Sequence, residues 1–181
     1  PCQKEYLLAF HKPAGIVCTT SKIDKNNVID YLNFPERIYP VGRLDKESTG
    51  LLLLTNNGQL MDDVLRGSNY HEKEYIVHVN KPITDSVLQA MAQGVPILDT
   101  ITRPCKIRRM GKDCFYITLT QGLNRQIRRM CEYFDYRVTS LKRIRIMNIE
   151  LGSLPVGKWR ELTPSEIKTL KNLAQNKGEA E

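Results

Sequence analysis

Two stretches of this chain hold residue types at spacings that could do chemistry. The first is VGRLDKESTGLLLLTNNG, residues 41–58, where a lone acid, Asp45, sits in a basic, glycine-flanked turn directly before Leu51–Leu54. Four consecutive leucines closed by Asn56-Asn57-Gly58 read as a strand buried on both faces, or as a short buried helix. Either way, Asp45 stands at the mouth of a rigid core element. Arg43 and Lys46 beside it favour its charged form, and a well-held carboxylate can act as a nucleophile. Asp is also a favoured turn residue, so capping the turn is the plain alternative.

The second stretch is QGLNRQIRRMCEYF, residues 121–134. Ile127, Met130, Cys131 and Phe134 repeat at i, i+3, i+4 and i+7 and form one helix face, with Asn124 as the expected N-cap. Arg125, Arg128, Arg129 and Glu132 occupy the other side. At ~100° per residue Arg128 lies nearer the apolar stripe than Arg129, so it is the arginine expected to point into a part-buried site. Solvent exposure is the ordinary alternative for any helical arginine.

The elements that must position these groups follow from pattern. Glu5–Phe10 and Ile16–Thr20 read as strands around the turn Lys12-Pro13-Ala14-Gly15. Asn26 or Asn27 caps a short helix through Leu32, and Gly58–Arg66 has one apolar helix face. In HEKEYIVHV, residues 71–79, Lys73, Tyr75, Val77 and Val79 share one face of a strand. Thr84 caps a helix ending at Gly94. Leu98–Tyr116 reads as strands with a hairpin at Gly111-Lys112-Asp113, carrying Arg103, Lys106, Arg108, Arg109 and Lys112. Those cations are either a solvated face or a contact for RNA backbone. Tyr136–Leu151 is a long strand or a pair, with Lys142, Arg143 and Arg145 clustered. Lys158–Leu162 is a last strand whose Trp159 is expected in the core. Thr163-Pro164-Ser165-Glu166 is a capping box opening a final helix that fades into a polar tail by Gln175.

Strands and helices in this order, without a βαβ period, favour an α+β domain with a mixed, largely antiparallel sheet. With 181 residues, 41% hydrophobic and 26% charged, wholesale disorder is excluded and one compact domain over 1–181 is the simplest count. There are 27 Lys and Arg against 20 Asp and Glu, a net charge of +7 that suits a polyanionic partner. The five cysteines are scattered and read as reduced, cytosolic residues. No apolar stretch approaches a membrane span, and neither a G-x-x-x-x-G-K loop nor metal-ligand spacing is present. The chain begins at Pro1 without a methionine, so it is expected to be a piece of a longer protein.

The central stretch resembles the aspartate motif of RsuA-like pseudouridine synthases, which modify ribosomal RNA. Three more motifs of that family follow the same order: HKPAGIV resembles its K-P-x-G, KEY its K-x-Y, and RQIRRM its helix motif. The resemblance covers essentially the whole chain, and RIMNIELGSLPVGKWRELT looks closest to the RluF-type subgroup. It implies the pseudouridine synthase fold, a long bent sheet of two lobes with flanking helices and a central RNA cleft. An N-terminal S4-type RNA-binding domain, frequent in the family, is expected to be absent from this chain.

The implied activity is isomerisation of an RNA uridine to pseudouridine without metal or cofactor, in the large ribosomal subunit RNA first and a tRNA second; the cysteines point to the cytoplasm, and a monomer is the default. Asp45 would open the glycosidic bond, Arg128 would hold it, and Tyr75 would stack on the flipped base, an interaction worth ~1–3 kcal/mol. Arg43, Ile127, Lys73, Arg125 and Arg129 would contact the substrate. A non-catalytic RNA-binding module on the same scaffold is the rival reading. A nucleoside hydrolase is a distant third, because Glu47, two positions from Asp45, is a poor second carboxylate.

Overall fold

The leucine run does form a strand, and its alternation feeds two cores at once. Leu51 and Leu53 join one apolar cluster with Leu7, Ala9, Leu60, Val64 and Leu170, while Leu52 and Leu54 join another with Leu8, Phe10 and Val28. Successive strand side chains point to opposite faces, so four leucines in a row require cover on both sides.

The computed structural model describes residues 4–66 and 70–175. Along the chain the elements are β1 (Leu7–Lys12), α1 (Val28–Leu32), β2 (Tyr39–Pro40), β3 (Thr49–Thr55), α2 (Gly58–Leu65) and β4 (Lys73–Val79). They continue with α3 (Asp85–Gln93), β5 (Pro96–Ile97), β6 (Thr100–Ile101), β7 (Lys106–Gly111), β8 (Cys114–Leu119) and α4 (Gln126–Tyr133). The last are β9 (Val138–Ile146), β10 (Ile149–Glu150), β11 (Trp159–Glu161) and α5 (Pro164–Gln175). The main sheet runs β11-β1-β3-β9-β4-β8-β7, with β10 beside β9 and β2 beside β3. This is the α+β fold expected, a mixed and mostly antiparallel sheet with helices against it. Helices α3 and α4 cover the β4, β8 and β9 half, whereas α2 and α5 pack on one side of β1 and β3 and α1 on the other.

The two halves of the sheet join where β3 meets β9 in parallel, with Thr49 opposite Lys142 and Gly50 opposite Arg143. Gly50 has φ +109°, and a Cβ there would overlap the backbone carbonyl of Arg143. Only glycine meets both demands.

Several boundaries differ from expectation. The first strand lies two residues later than read, which carries His11 and Lys12 into the core. Ile16–Thr20 is not a strand, because both edges of β1 are already taken by β3 and β11, leaving Val17 a single bridge to Asn27. Trp159 is 41% exposed, not core: it sits on the edge strand β11 with its ring edge-on to Phe34. Among the expected caps, Asn27 accepts from the Asp30 N–H, and Thr163 and Glu166 exchange both hydrogen bonds of the capping box. Cys2 and the polar tail lie outside the described residues.

Replacing Gly50 with Ala is expected to destabilise the chain by about 3 kcal/mol or more, since backbone strain and overlap coincide there. Thermal or urea unfolding checks this, with Gly58→Ala, where a Cβ meets nothing within 4 Å, as the control.

Candidate active site

Asp45 lies in the turn entering β3, closed by the Ser48 N–H donating to the Asp45 carbonyl at 3.0 Å. The turn is fastened from outside by the first motif. Lys12 is fully buried, and its ammonium donates to the carbonyls of Pro13 (2.9 Å), Lys46 (3.2 Å) and Ser48 (2.7 Å). Gly15 N–H donates to the Lys46 carbonyl at 2.7 Å. Burial lowers the Lys12 pKa, opposed by Cys18, Asp45 and Glu47.

The Asp45 carboxylate meets two arginines from the start of α4. Arg128 Nε is 3.5 Å from Asp45 Oδ2, and Arg128 Nη2 donates to Ser48 Oγ at 3.0 Å. Arg125 Nη1 lies 3.6 Å from the same Oδ2 and 3.3 Å from Glu47 Oε1. The Arg128 side chain is 12% exposed and faces Asp45, whereas Arg129 turns back onto Asn124, the order that the place of Arg128 beside the apolar stripe predicts. Asn124 is not the N-cap: its Oδ1 and carbonyl accept from Arg129 Nη2 and Nε at 2.8 and 2.9 Å. Arg125 takes the cap position instead with a left-handed backbone, and Gln126 Oε1 reaches back to the Leu123 N–H.

These groups open onto a cleft of about 720 Å³, a volume suited to a nucleotide-sized ligand. Its wall brings together Asp45, Arg128, Tyr75, Arg43, Ile127, Lys73 and Arg125, with Ser48, His71, Arg103 and Arg143. Arg129 is the sequence-predicted residue not found in that wall; it braces Asn124. Tyr75 packs against the apolar clusters of both halves, which places its ring at the seam between them. Of the five cations on 103–112, Arg103 lines the cleft, stacked over Tyr70 at 3.9 Å. Lys106 pairs with Glu72, Arg109 with Asp85, and Arg108 lies over Tyr116, so most of that ribbon is engaged locally.

Burial pushes the Cys105 and Cys131 thiols up to about 11 and about 12, and neither is among the residues lining the cleft. His78, Asp113 and Cys114 group their ligand atoms within 4.8 Å of one another, but they are not among the residues lining the cleft.

Residues 6–133 match the family described as RNA pseudouridylate synthase. The chain belongs to that family. It is 53% identical over 169 residues to the dual-specificity RNA pseudouridine synthase RluF of Salmonella typhi, covering 93% of this chain and 58% of that protein. It is 34% identical over 176 residues to ribosomal large subunit pseudouridine synthase B of Bacillus subtilis, covering 92% of this chain and 72% of that protein. A crystal structure of a pseudouridylate synthase matches with TM-score 0.85 at 30% identity, covering 93% of this chain and 75% of that one. The chain thus spans less than two thirds of the RluF relative it matches.

Sequence reasoning missed Lys12, Ser48, His71 and Arg143. The K-P-x-G string was the signal for Lys12, but a turn motif does not disclose that its lysine folds inward. Lys73 and Lys12 form an instructive contrast. Burial beside Arg143 lowers Lys73 to about 8, and no acceptor for its ammonium occurs among the described residues.

Lys12→Met is therefore expected to destabilise by about 3 kcal/mol, because it strips the donor from three carbonyls. Lys73→Met is expected to stabilise by about 1–2 kcal/mol at pH 7, because it removes an unpaired, part-buried charge. The folded pKa of Lys73, about 8, lies below the ordinary lysine value of 10.5, so its penalty is complete below pH 8 and fades as pH rises toward 10.5. Urea unfolding at pH 7 and 9.5 checks both signs and the expected shrinkage of the Lys73→Met gain.

Proposed function

We propose that this chain is the catalytic part of an RNA pseudouridine synthase, folded as one domain across 1–181 and acting as a cytoplasmic monomer. The observation that carries the reading is the Asp45 carboxylate, held by two arginines at the mouth of a cleft that also contains Tyr75 and Ile127. An enzyme acting on a base must take it out of the stack and give it a new stacking surface, which is the role assigned to Tyr75, with Ile127 lining the pocket. Asp45 opens the N1–C1′ bond, by attack at C1′ or by taking the C2′ proton, and the bonding pair leaves with N1 of uracil. The base turns while held and C5 bonds to C1′, displacing the Asp45 carboxylate on the first route or with Asp45 returning the proton to C2′ on the second; the C5 proton is then lost and N1 gains one. No electron is gained or lost overall.

In this mechanism Arg128 orients Asp45, Arg125 tethers the same carboxylate from the rim, and Arg43 grips RNA or fills the space vacated by the base. Neighbouring cations bind phosphates, so affinity is expected to fall steeply with salt. The substrate proposed first is large-subunit ribosomal RNA, the class in the name of the B. subtilis relative. A tRNA is proposed second, since the name of the S. typhi relative specifies dual specificity.

The test is pseudouridine mapping after incubating the purified chain with unmodified ribosomal RNA and tRNA. Conversion at one or a few uridines is expected, with Asp45→Asn reducing it roughly 10³-fold or more while RNA binding stays within a few fold. Binding with no conversion by the unaltered chain would assign it instead to a non-catalytic RNA-binding module.

A further inference from the structure

The ladder between β4 and β9 carries cations of two kinds. Arg145 is fully engaged: Nε pairs with Glu74 at 3.1 Å, Nη2 with Glu72 at 3.1 Å, and Nη1 donates to the Met147 carbonyl at 2.7 Å. Arg143, two residues earlier, is 3% exposed and makes one side-chain hydrogen bond, Nε to the Leu51 carbonyl at 2.8 Å. Neither terminal nitrogen has an acceptor among the described residues, and Nη2 is wholly buried. Lys73 beside it is equally unpaired, and the two cations repel each other.

A buried guanidinium beside a part-buried ammonium, neither with a counterion, is a costly arrangement unless an anion arrives to complete it. The nearby acids cannot supply one. Asp45 is held by Arg125 and Arg128, while Glu72 and Glu74 are taken by Arg145 and Lys106. An anion that completes the pair would therefore have to come from a ligand.

Strand register says where that anion sits. Arg143 stands directly opposite Tyr75, and Lys73 precedes Tyr75 by two residues on the same face of β4. Directly opposed residues hold their Cβ atoms ~5 Å apart, so both cations flank the ring on which the base would stack. All three belong to the wall of the Asp45 cleft. We propose that Arg143 and Lys73 form a phosphate subsite that takes the phosphodiester adjoining the flipped uridine and so sets the sugar over Asp45. The guanidinium supplies a planar fork and the ammonium a point charge, a combination suited to a tetrahedral oxyanion. This assignment rests on the RNA-modifying reading above.

The test is a charge cycle. A stem-loop carrying the uridine found by mapping is made with ordinary linkages, or with one neutral methylphosphonate on the 5′ or the 3′ side of that uridine. Affinity is measured for the unaltered chain, Arg143→Met and Lys73→Met. On ordinary RNA each variant is expected to bind about 10-fold more weakly, and its log–log salt slope to fall by about 1. On one of the two methylphosphonate RNAs the unaltered chain is expected to lose the same factor, with no further loss in either variant. Equal losses by the variants on charged and neutral RNA, at both positions, would overturn the subsite. If Arg143→Met does not fold, Lys73→Met carries the cycle alone, and unchanged binding by it also overturns the subsite. An arm without turnover separates this from the function itself. Inorganic phosphate is expected to raise the melting temperature of the unaltered chain more than that of Lys73→Met, whether or not any uridine is converted, and an equal rise in both would count against the subsite.

Discussion

The site depends on the short parallel contact in which Gly50 of β3 lies against the backbone of Arg143 in β9. Asp45 comes from the turn before β3, whereas Tyr75 lies on β4, the far neighbour of β9. Two paired residues thus set the distance between the acid and the aromatic ring. A parallel contact this short contributes little hydrogen bonding of its own, so the apolar clusters on either side must hold it. Tyr75 touches clusters from both halves, which makes the ring part of the seam as well as part of the cleft.

Charge placement follows the same division. On the Asp45 side the buried cations face acceptors: Lys12 binds three carbonyls of its own strand end and the Asp45 turn, and Arg128 binds Ser48 through Nη2 while its Nε, without a hydrogen bond, lies 3.5 Å from the carboxylate. These contacts preorganise the acid, so little reorganisation remains when a substrate arrives. On the Tyr75 side Lys73 and Arg143 are left without counterions, which makes that wall of the cleft attractive to a polyanion at the expense of stability. Stability and binding are thus set against each other at one place, a common feature of functional sites.

Much of this was legible in the residues, and the reasons differ from place to place. Leu51–Leu54 announced an element covered on all sides, because four consecutive apolar residues need it, but strand and short buried helix were separated only by the pairing of β3 with β1. Arg128 could be separated from Arg129 by helical angle alone. The roles proposed for Tyr75, Lys73 and Ile127 came only through the resemblance, since a tyrosine in a strand has no pattern that marks it as a platform. Lys12 and Arg143 were hidden for a different reason: a cation's burial depends on which strands pair across long sequence separations, and β3 pairs with β9 more than ninety positions away. Asn124 misled because a helix cap competes with any nearby donor, and Arg129 supplied one. Trp159 misled because a large aromatic on an edge strand can be covered on one side only.

The central claim is that one flipped uridine is held between the two halves, its base on Tyr75 and its sugar at Asp45. The most direct measurement is a crystal structure of the chain bound to RNA with 5-fluorouridine at the target position, where fluorine in place of the C5 hydrogen blocks the final deprotonation. The account predicts the base out of its helix, stacked on Tyr75, with an Asp45 oxygen bonded to or within ~3.5 Å of the sugar C1′ or C2′. A target base still paired in its helix, or one in the cleft with Asp45 turned away from the sugar, would contradict it.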